Sequence, residues 1–246
     1  MIDTKLQAVV LAAGKGTRMK SDLPKVLHEM AGRSLLGHVL ASVRAAAIPR
    51  TVVVVGHKAA MVENAVRADD LDFALQEPQL GTGHAVQVAV PYLSFEGYTV
   101  ILAGDVPLLR AETILRLVGE TVASRSAASV LTCVVEDAGA YGRIIKDAAG
   151  RLTGIVEARD ATEAQLAIGE YNSGVFCFHT PDLIDALARL EADNDQAEYY
   201  LTDTIAHLVA AGRPVQVVSI EDAGEVVGIN TVEELRAAEE IYRLRG

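Results

Sequence analysis

The sequence predicts an α/β fold, a doubly wound mixed sheet with a C-terminal helix. Three observations carry that expectation. Short Val-rich runs recur at Gln7–Leu11, Thr51–Val55 and Thr99–Ala103, and runs this apolar suit strands covered on both faces, as in a parallel sheet. Stretches with helical spacing lie among them: Leu35, Leu36, Val39, Leu40 and Val43; Met61, Val62, Ala65 and Val66; Ile114, Leu115, Leu117 and Val118. Strand alternating with helix is the mark of a doubly wound domain. After about residue 127 the pattern shifts to shorter segments, which read as antiparallel insertions into the same sheet.

The elements of that second half follow in order. Ala128–Val135, Gly142–Lys146 and Leu152–Val156 read as strands, the last two joined by a hairpin turn at Asp147-Ala148-Ala149-Gly150. Tyr171–Phe178 is another strand. Helices are expected at Pro181–Leu190, where proline suits a first turn, and at Tyr200–Ala211, before a strand at Pro214–Ile220. Thr231–Arg245 reads as a closing helix, with Thr231 and Glu234 spaced as a capping box. No linker, repeat or low-complexity segment divides the chain. The expected organisation is one domain over 1–229 followed by the helical segment 230–246.

Composition narrows the function classes. The chain has 246 residues, 50% of them hydrophobic, with 22 Lys+Arg against 33 Asp+Glu and a net charge of −11. A chain of this length buries a sizeable core without disulfides or metals. The acidic balance argues against nucleic acid or an anionic membrane as partner, since both need a basic face. No apolar run reaches the roughly 18 residues of a membrane span, and the N-terminus lacks the features of a signal peptide. Cys133 and Cys177 fall in apolar, strand-like stretches and read as reduced core thiols of a cytoplasmic protein.

The most informative stretch follows the first strand: Leu11-Ala12-Ala13-Gly14-Lys15-Gly16-Thr17-Arg18-Met19, running on to Leu23-Pro24-Lys25. A glycine-rich loop after a strand lets backbone N–H groups approach an anion closely. Met19 stands where a dinucleotide fingerprint needs its third glycine or alanine, and the Walker pattern is absent. What remains is a loop carrying Lys15, Arg18, Lys20 and Lys25 in an acidic protein, a local field suited to a small polyanion. The alternative is a solvated loop whose glycines serve a tight turn.

Two oxygen-bearing residues stand apart. Asp105, in Gly104-Asp105-Val106-Pro107-Leu108, follows the third Val-rich run. Ligands of open α/β sheets bind at the carboxyl ends of strands, and an aspartate there suits Mg²⁺; it reads equally as an Asx-turn residue. Asn230 is a second oxygen ligand by type, although on its own segment it reads first as a helix N-cap.

The loop segment, continued by Ser21-Asp22-Leu23-Pro24-Lys25-Val26-Leu27-His28, resembles the signature of sugar-nucleotide pyrophosphorylases. Further segments narrow the resemblance: 76–85 (QEPQLGTGHA), 104–108 (GDVPL), 141–144 (YGRI), 155–161 (IVEARDA), 171–174 (YNSG) and 198–203 (EYYLTD). In order and over nearly the whole chain, they resemble the uridylyltransferase domain of bacterial N-acetylglucosamine-1-phosphate uridylyltransferases. The resemblance implies a Rossmann-like sheet of the nucleotide-diphospho-sugar transferase type. It also implies Mg²⁺-dependent synthesis of UDP-N-acetylglucosamine and pyrophosphate from UTP and N-acetylglucosamine 1-phosphate.

Residue by residue, it implies that Leu11, Ala12, Ala13, Gly14, Gly16 and Thr17 hold the nucleotide. Arg18 neutralises the departing pyrophosphate, and Lys25 bridges phosphate oxygens near the reacting phosphorus. Gln76 and the Gly81 and Thr82 backbone serve the uracil, with Thr82 opening a helix through Val90, and Gln79 is a further substrate-binding residue. Ala103, Gly142, Glu157 and Asn172 face the sugar, and Asp105 and Asn230 hold Mg²⁺. Ala103 stands where many members carry tyrosine, and Thr231-Val232 follow Asn230 where members often carry Asn or Asp and then Arg. Tyr171, Tyr199 and Tyr200 read as core or wall residues, Lys15 and Lys20 as solvated, and His28 and His84 as packing or hydrogen-bonding residues. Full-length members continue into a β-helix of hexapeptide repeats that acetylates glucosamine 1-phosphate and forms trimers. No such repeats occur in these residues, which implies a monomer without that domain. Two alternatives stay open at this point: a pyrophosphorylase for glucose 1-phosphate or dTTP, and a catalytically silent nucleotide-sugar regulator.

Overall fold

The computed structural model describes residues 5–245. The first half delivers β1 (Leu6–Leu11), a hairpin of two very short strands, β2 (Glu29–Met30) and β3 (Arg33–Ser34), then α1 (Leu35–Ala45), β4 (Thr51–Val55), α2 (Ala59–Val66), β5 (Leu71–Leu75), α3 (Thr82–Ala89), β6 (Tyr98–Ala103) and α4 (Ala111–Ser124). The second half adds β7 (Ala128–Val134), β8 (Arg143–Lys146), β9 (Leu152–Val156), α5 (Glu163–Leu166), β10 (Glu170–His179), α6 (Thr180–Leu187), α7 (Asp203–Ala210), β11 (Val215–Ile220) and α8 (Val232–Leu244).

The main sheet runs β11-β7-β10-β6-β1-β4-β5, with the β8–β9 hairpin attached beside β10. All its neighbours along this path are parallel except β10, which is antiparallel to both β6 and β7. Strand alternation divides the core cleanly. Ala8, Val10, Val53, Val55, Val100 and Leu102 face one side, where Leu36, Val39 and Leu40 of α1 and Ile114, Leu117 and Val118 of α4 cover them. Val9, Val52, Val54 and Ile101 face the other, under Val86 of α3, Leu183 and Leu187 of α6, and Ile205 and Leu208 of α7. Both faces are buried, which is why these strands read as unbroken apolar runs.

Most expected elements are found with ends shifted by a residue or so. The helix expected from Tyr200 begins at Asp203, and the one expected through Leu190 ends at Leu187. The unanticipated elements are β2, β3, β5 and the four-residue α5. The capping box is present: Thr231 Oγ1 accepts from Glu234 N (3.1 Å), and the Glu234 carboxylate accepts from Thr231 N (3.0 Å). Cys133 and Cys177 are free and buried, and burial pushes the Cys177 thiol up to about 12. Among the described residues no helix is long and apolar enough to cross a membrane.

Three features of this topology create the site. β1 and β6 are paired to their ends, with Leu11 opposite Ala103, so the glycine-rich loop and the Gly104-Asp105 turn leave the sheet together. A Cβ on Gly104 would lie 3.0 Å from the Leu11 carbonyl oxygen, and glycine accommodates that approach. Because β10 runs the other way, its beginning, Tyr171–Ser173, lies towards the edge where β6 finishes.

Candidate active site

The chain leaves β1 through Ala12, whose N–H donates to Val54 O (2.8 Å), and Ala13, whose carbonyl accepts from His57 N (3.2 Å) and Gln79 Nε2. Both alanine side chains pack in the core, so only their backbone can serve a ligand. Gly14 and Lys15 are exposed. Gly16 takes a left-handed conformation (φ 61°), and a Cβ there would overlap Lys25 Cβ. A short 3₁₀ turn, Thr17–Met19, follows in place of a helix; Met19 is buried while Thr17 and Arg18 stay exposed. A second such turn, Lys25–Leu27, buries Val26 and Leu27 and leaves Lys25 half-buried beside the loop.

Arg18 and Lys25 meet Asp105 and Asn230. Lys25 Nζ donates to Asp105 Oδ2 in an ion pair, and to Asn230 Oδ1 at 2.9 Å. Arg18 Nη2 donates to the same Asn230 oxygen at 2.8 Å. Asn230 Nδ2 donates to Gly228 O at 3.0 Å, which fixes the amide with its oxygen towards the two cations. The helix cap belongs to Thr231, which leaves the Asn230 side chain free for this cluster. The N-cap reading of Asn230 is thereby replaced. Glu234 accepts from Asn230 N (2.6 Å), and Ile229 N donates to Asp105 O (2.9 Å), so two backbone contacts tie the Asn230 loop down.

The donor set suits a hard divalent cation. One carboxylate and one amide oxygen converge on a single ammonium, and Mg²⁺ typically takes one or two protein oxygens with the rest from phosphates and water. Among the described residues no group of three His, Cys, Asp or Glu could hold a metal by itself, so a dedicated all-protein cage is absent there.

Next to this cluster lies a cavity of about 230 Å³ lined by Ala103, Tyr141, Gly142, Glu157, Asn172 and Asn230, among others. Asn172 N donates to Gly142 O (2.8 Å), and Asn172 Oδ1 accepts from Gly174 N (2.9 Å), leaving Nδ2 for a ligand. Glu157 Oε1 accepts from Thr202 Oγ1 (3.0 Å), while its Oε2 lies against Gly142. Burial raises the Glu157 carboxyl above its ordinary value, and the Asp203, Asp160 and Glu198 charges add to the rise. Tyr141 Oη accepts from Gly228 N (3.0 Å) and its ring packs on Tyr171. Arg143, buried, donates to the Tyr141, Gly139 and Leu166 carbonyls and holds this loop from beneath.

On the other side, a depression of about 480 Å³ is lined by Lys15, Gly56, His57, Gln76, Glu77 and Gln79, among others. Gln76 Nε2 donates to Gly81 O (2.8 Å) and contacts His84 Nδ1 (3.3 Å). A carbonyl oxygen can only accept, so the Gln76 nitrogen is committed and Oε1 is the atom it has left to offer. Gly81 and Gly83 hug the segment after residue 197: a Cβ on Gly81 would stand 2.6 Å from Tyr199 O, and one on Gly83 would stand 2.9 Å from the same oxygen.

The expected residues thus fall into three adjoining groups. Arg18, Lys25, Asp105 and Asn230 form the centre. Ala103, Gly142, Glu157 and Asn172 border the cavity; Gln76 and Gln79 border the depression, Gly81 O holds the Gln76 amide, and Thr82 Oγ1 accepts from Leu201 N. Lys20 is exposed, as expected of a solvated residue. Tyr171 and Tyr200 are buried core and wall residues. His84 accepts or donates at Gln76, whereas His28 Nε2 has no partner among the described residues. Tyr141, Thr202 and Gly228 also belong to the site without a role assigned from sequence; the first two sit in the motifs at 141–144 and 198–203.

An open sheet that gathers a glycine-rich loop, two cations, a carboxylate and an amide at the carboxyl ends of two adjacent parallel strands defines a nucleotide-handling α/β domain of the nucleotidyltransferase class. The chain belongs to the family of MobA-like NTP transferase domains, which it matches over residues 8–211. It is 50% identical over 240 residues to a protein named bifunctional protein GlmU from Cupriavidus taiwanensis, covering 97% of this chain and 52% of the relative. It is 49% identical over 240 residues to the protein of that name from Azotobacter vinelandii, covering 98% and 52%. The chain spans about half the length of these curated relatives. Its fold is also that of a UDP-glucose pyrophosphorylase solved with UDP-glucose (TM-score 0.78, 16% identity, 98% of this chain and 99% of that one). HddC from Yersinia pseudotuberculosis, solved with GMP-PN, is similar too (TM-score 0.69, 20% identity, 96% and 99%).

Proposed function

We propose that this domain transfers the uridylyl group of UTP to N-acetylglucosamine 1-phosphate, giving UDP-N-acetylglucosamine and pyrophosphate. The observation that carries the proposal is the meeting of Lys25, Arg18, Asp105 and Asn230 between a base-sized depression and a sugar-sized cavity. The motif resemblance and the 50% identity to a protein named bifunctional protein GlmU support the choice of substrates.

In the proposed reaction an oxygen of the sugar phosphate attacks the α-phosphorus of UTP. The bond to the bridging oxygen breaks, and pyrophosphate leaves with that electron pair. A sugar phosphate is already largely dianionic at neutral pH, its second pKa lying near 6, so no side chain has to remove a proton. The chain's task is alignment and charge neutralisation. Lys25 serves phosphate oxygens at the reacting phosphorus, and Arg18 serves the pyrophosphate side. Gln76 Oε1 accepts from the uracil N3–H, with the Gly81 backbone completing the base edge. Glu157 Oε2 accepts from a sugar hydroxyl and Asn172 Nδ2 donates to the sugar. Asp105 and Asn230 would hold Mg²⁺, which when bound supplies charge neutralisation to phosphate oxygens. Buried free thiols fit a reducing cytoplasm.

The test is pyrophosphate release from a panel of sugar 1-phosphates and nucleoside triphosphates, with Mg²⁺ and with EDTA. UTP with N-acetylglucosamine 1-phosphate is expected to give the highest kcat/KM, and EDTA to stop turnover. A preference for glucose 1-phosphate or dTTP would overturn the substrate assignment, and binding without turnover would make the domain a sensor.

A further inference from the structure

The base side and the sugar side are joined by one short length of chain, Tyr199–Thr202. At its first end it is fastened to the loop that precedes and begins α3. Tyr199 N donates to Leu80 O (2.8 Å), Gly83 N donates to Tyr199 O (2.7 Å), and Leu201 N donates to Thr82 Oγ1 (3.0 Å). The crowding at Gly81 and Gly83 leaves this contact little room to slide. At its other end, Thr202 Oγ1 donates to Glu157 Oε1 (3.0 Å). That is the carboxylate's one hydrogen bond among the described residues, so the bond decides which oxygen remains for a ligand. Thr202 is itself buried at 3% exposure, and Tyr200 and Leu201 are buried beside it. Only two of these contacts use side-chain hydroxyls, Thr82 at the base end and Thr202 at the sugar end.

We infer that Thr202 is a positioning residue, and that Tyr199–Thr202 is a strap through which occupancy of the base site orients Glu157 for the sugar. The inference rests on the proposed function, because it takes Gln76–Thr82 as the base side and Glu157 as a sugar ligand. A nucleotide that settles the Leu80–Gly83 loop settles Tyr199–Leu201 through three hydrogen bonds, and Thr202 follows with no flexible joint between. By linkage the coupling is reciprocal: each ligand must tighten the other by the same factor.

The experiment is calorimetric titration of the full chain with N-acetylglucosamine 1-phosphate. It is done alone and with a saturating UTP analogue whose α,β-bridge cannot be cleaved, Mg²⁺ being present in both. Wild type is expected to bind the sugar phosphate more tightly with the analogue than without. Thr202→Val should weaken sugar-phosphate binding in the ternary state about tenfold, the scale of one hydrogen bond to a charged group, and should abolish most of the gain from the analogue. Thr202→Ser, which keeps the hydroxyl, should restore both. Thr82→Val, at the far end of the strap, should also reduce the gain, although it lies on the base side. In turnover, the Thr202→Val change should fall on the KM for sugar phosphate more than on kcat. An unchanged sugar affinity and an unchanged gain in folded Thr202→Val would overturn the inference while leaving the uridylyltransferase reading intact. Should Thr202→Val fail to fold, a Thr82→Val chain with the full wild-type gain overturns it equally. A wild-type chain that binds neither ligand removes the uridylyltransferase reading, and the strap falls with it.

Discussion

Lys25 donates to both Asp105 and Asn230, so one ammonium satisfies the two oxygens proposed to hold the metal. Replacing it should therefore damage chemistry more than folding. Lys25→Ala is expected to lower kcat by a factor on the order of 10²–10³, comparable to losing one preorganised donor at a transition state, with the melting temperature moving little; pyrophosphate release and a thermal melt check the two halves. Asp105→Ala should abolish turnover in a chain that still folds, and near-normal activity would refute the metal assignment. Glu157 makes the opposite trade. Its folded carboxyl is raised above the ordinary 4.5 by burial first, then by Asp203, Asp160 and Glu198. The native state thus holds its proton more tightly than the unfolded chain does, and this group's contribution to stability is present below the unfolded value and lost as pH rises through the folded one. Glu157→Gln should consequently melt at or above wild type near neutral pH, with the difference closing as pH falls towards about 4.5. The same variant should bind the sugar phosphate poorly. Scanning calorimetry across that range, read beside the sugar KM, tests the sign.

At the scale of elements, α8 does more than cap the fold. Its Glu234 accepts from both Asn230 N and Thr231 N, and Ala238 packs with Met30, Leu35, Leu108 and Ile229. The helix thus pins the residue beside which the phosphates are proposed to sit. Glu234→Ala is expected to cost about 1 kcal/mol of stability, the usual worth of a cap, and to lower turnover as well. Glu234→Gln should recover much of both, and a variant that loses stability alone would show that the Asn230 loop holds itself. This helix was legible in the sequence because its capping box and charged face are local signals. The strand β5 was not: Leu71–Leu75 is an edge strand, half-buried over three residues and carrying Asp72, so no continuous apolar run announces it. β2 and β3 have two residues each, too few for any periodicity. The expected helix Tyr200–Ala211 includes Tyr200–Thr202, whereas Leu201 and Thr202 are held in a turn by their bonds to Thr82 and Glu157, contacts distant in sequence.

Over the whole molecule, the legibility of the site has a clear limit. Arg18, Lys25, Asp105 and Asn230 were nameable one at a time from motifs, but Arg18 and Asn230 lie 212 positions apart. Their contact depends on strand order, which local patterns do not specify. The role of Thr202 is hidden for the same reason, since only the fold shows that Glu157 is its acceptor. The distribution of stabilising contacts supports a further prediction. The sheet is held by two large apolar layers, and the proposed metal oxygens lie outside them. EDTA should thus abolish turnover without a measurable shift in melting temperature, and a large drop would assign the ion a structural part.

The reversal of β10 has a practical consequence. A strand entering from the site edge lets residues 128–179 bring Gly142, Glu157 and Asn172 to the proposed sugar cavity as one consecutive cassette, whereas the loop after β1 and the Gln76–Thr82 stretch lie wholly upstream. Most of the proposed sugar contacts are in this sense written on one page of the chain, with Ala103 and Thr202 the exceptions. Grafting that cassette, together with positions 103 and 202, from a relative with a different sugar preference should exchange the sugar and leave the nucleotide preference where it was.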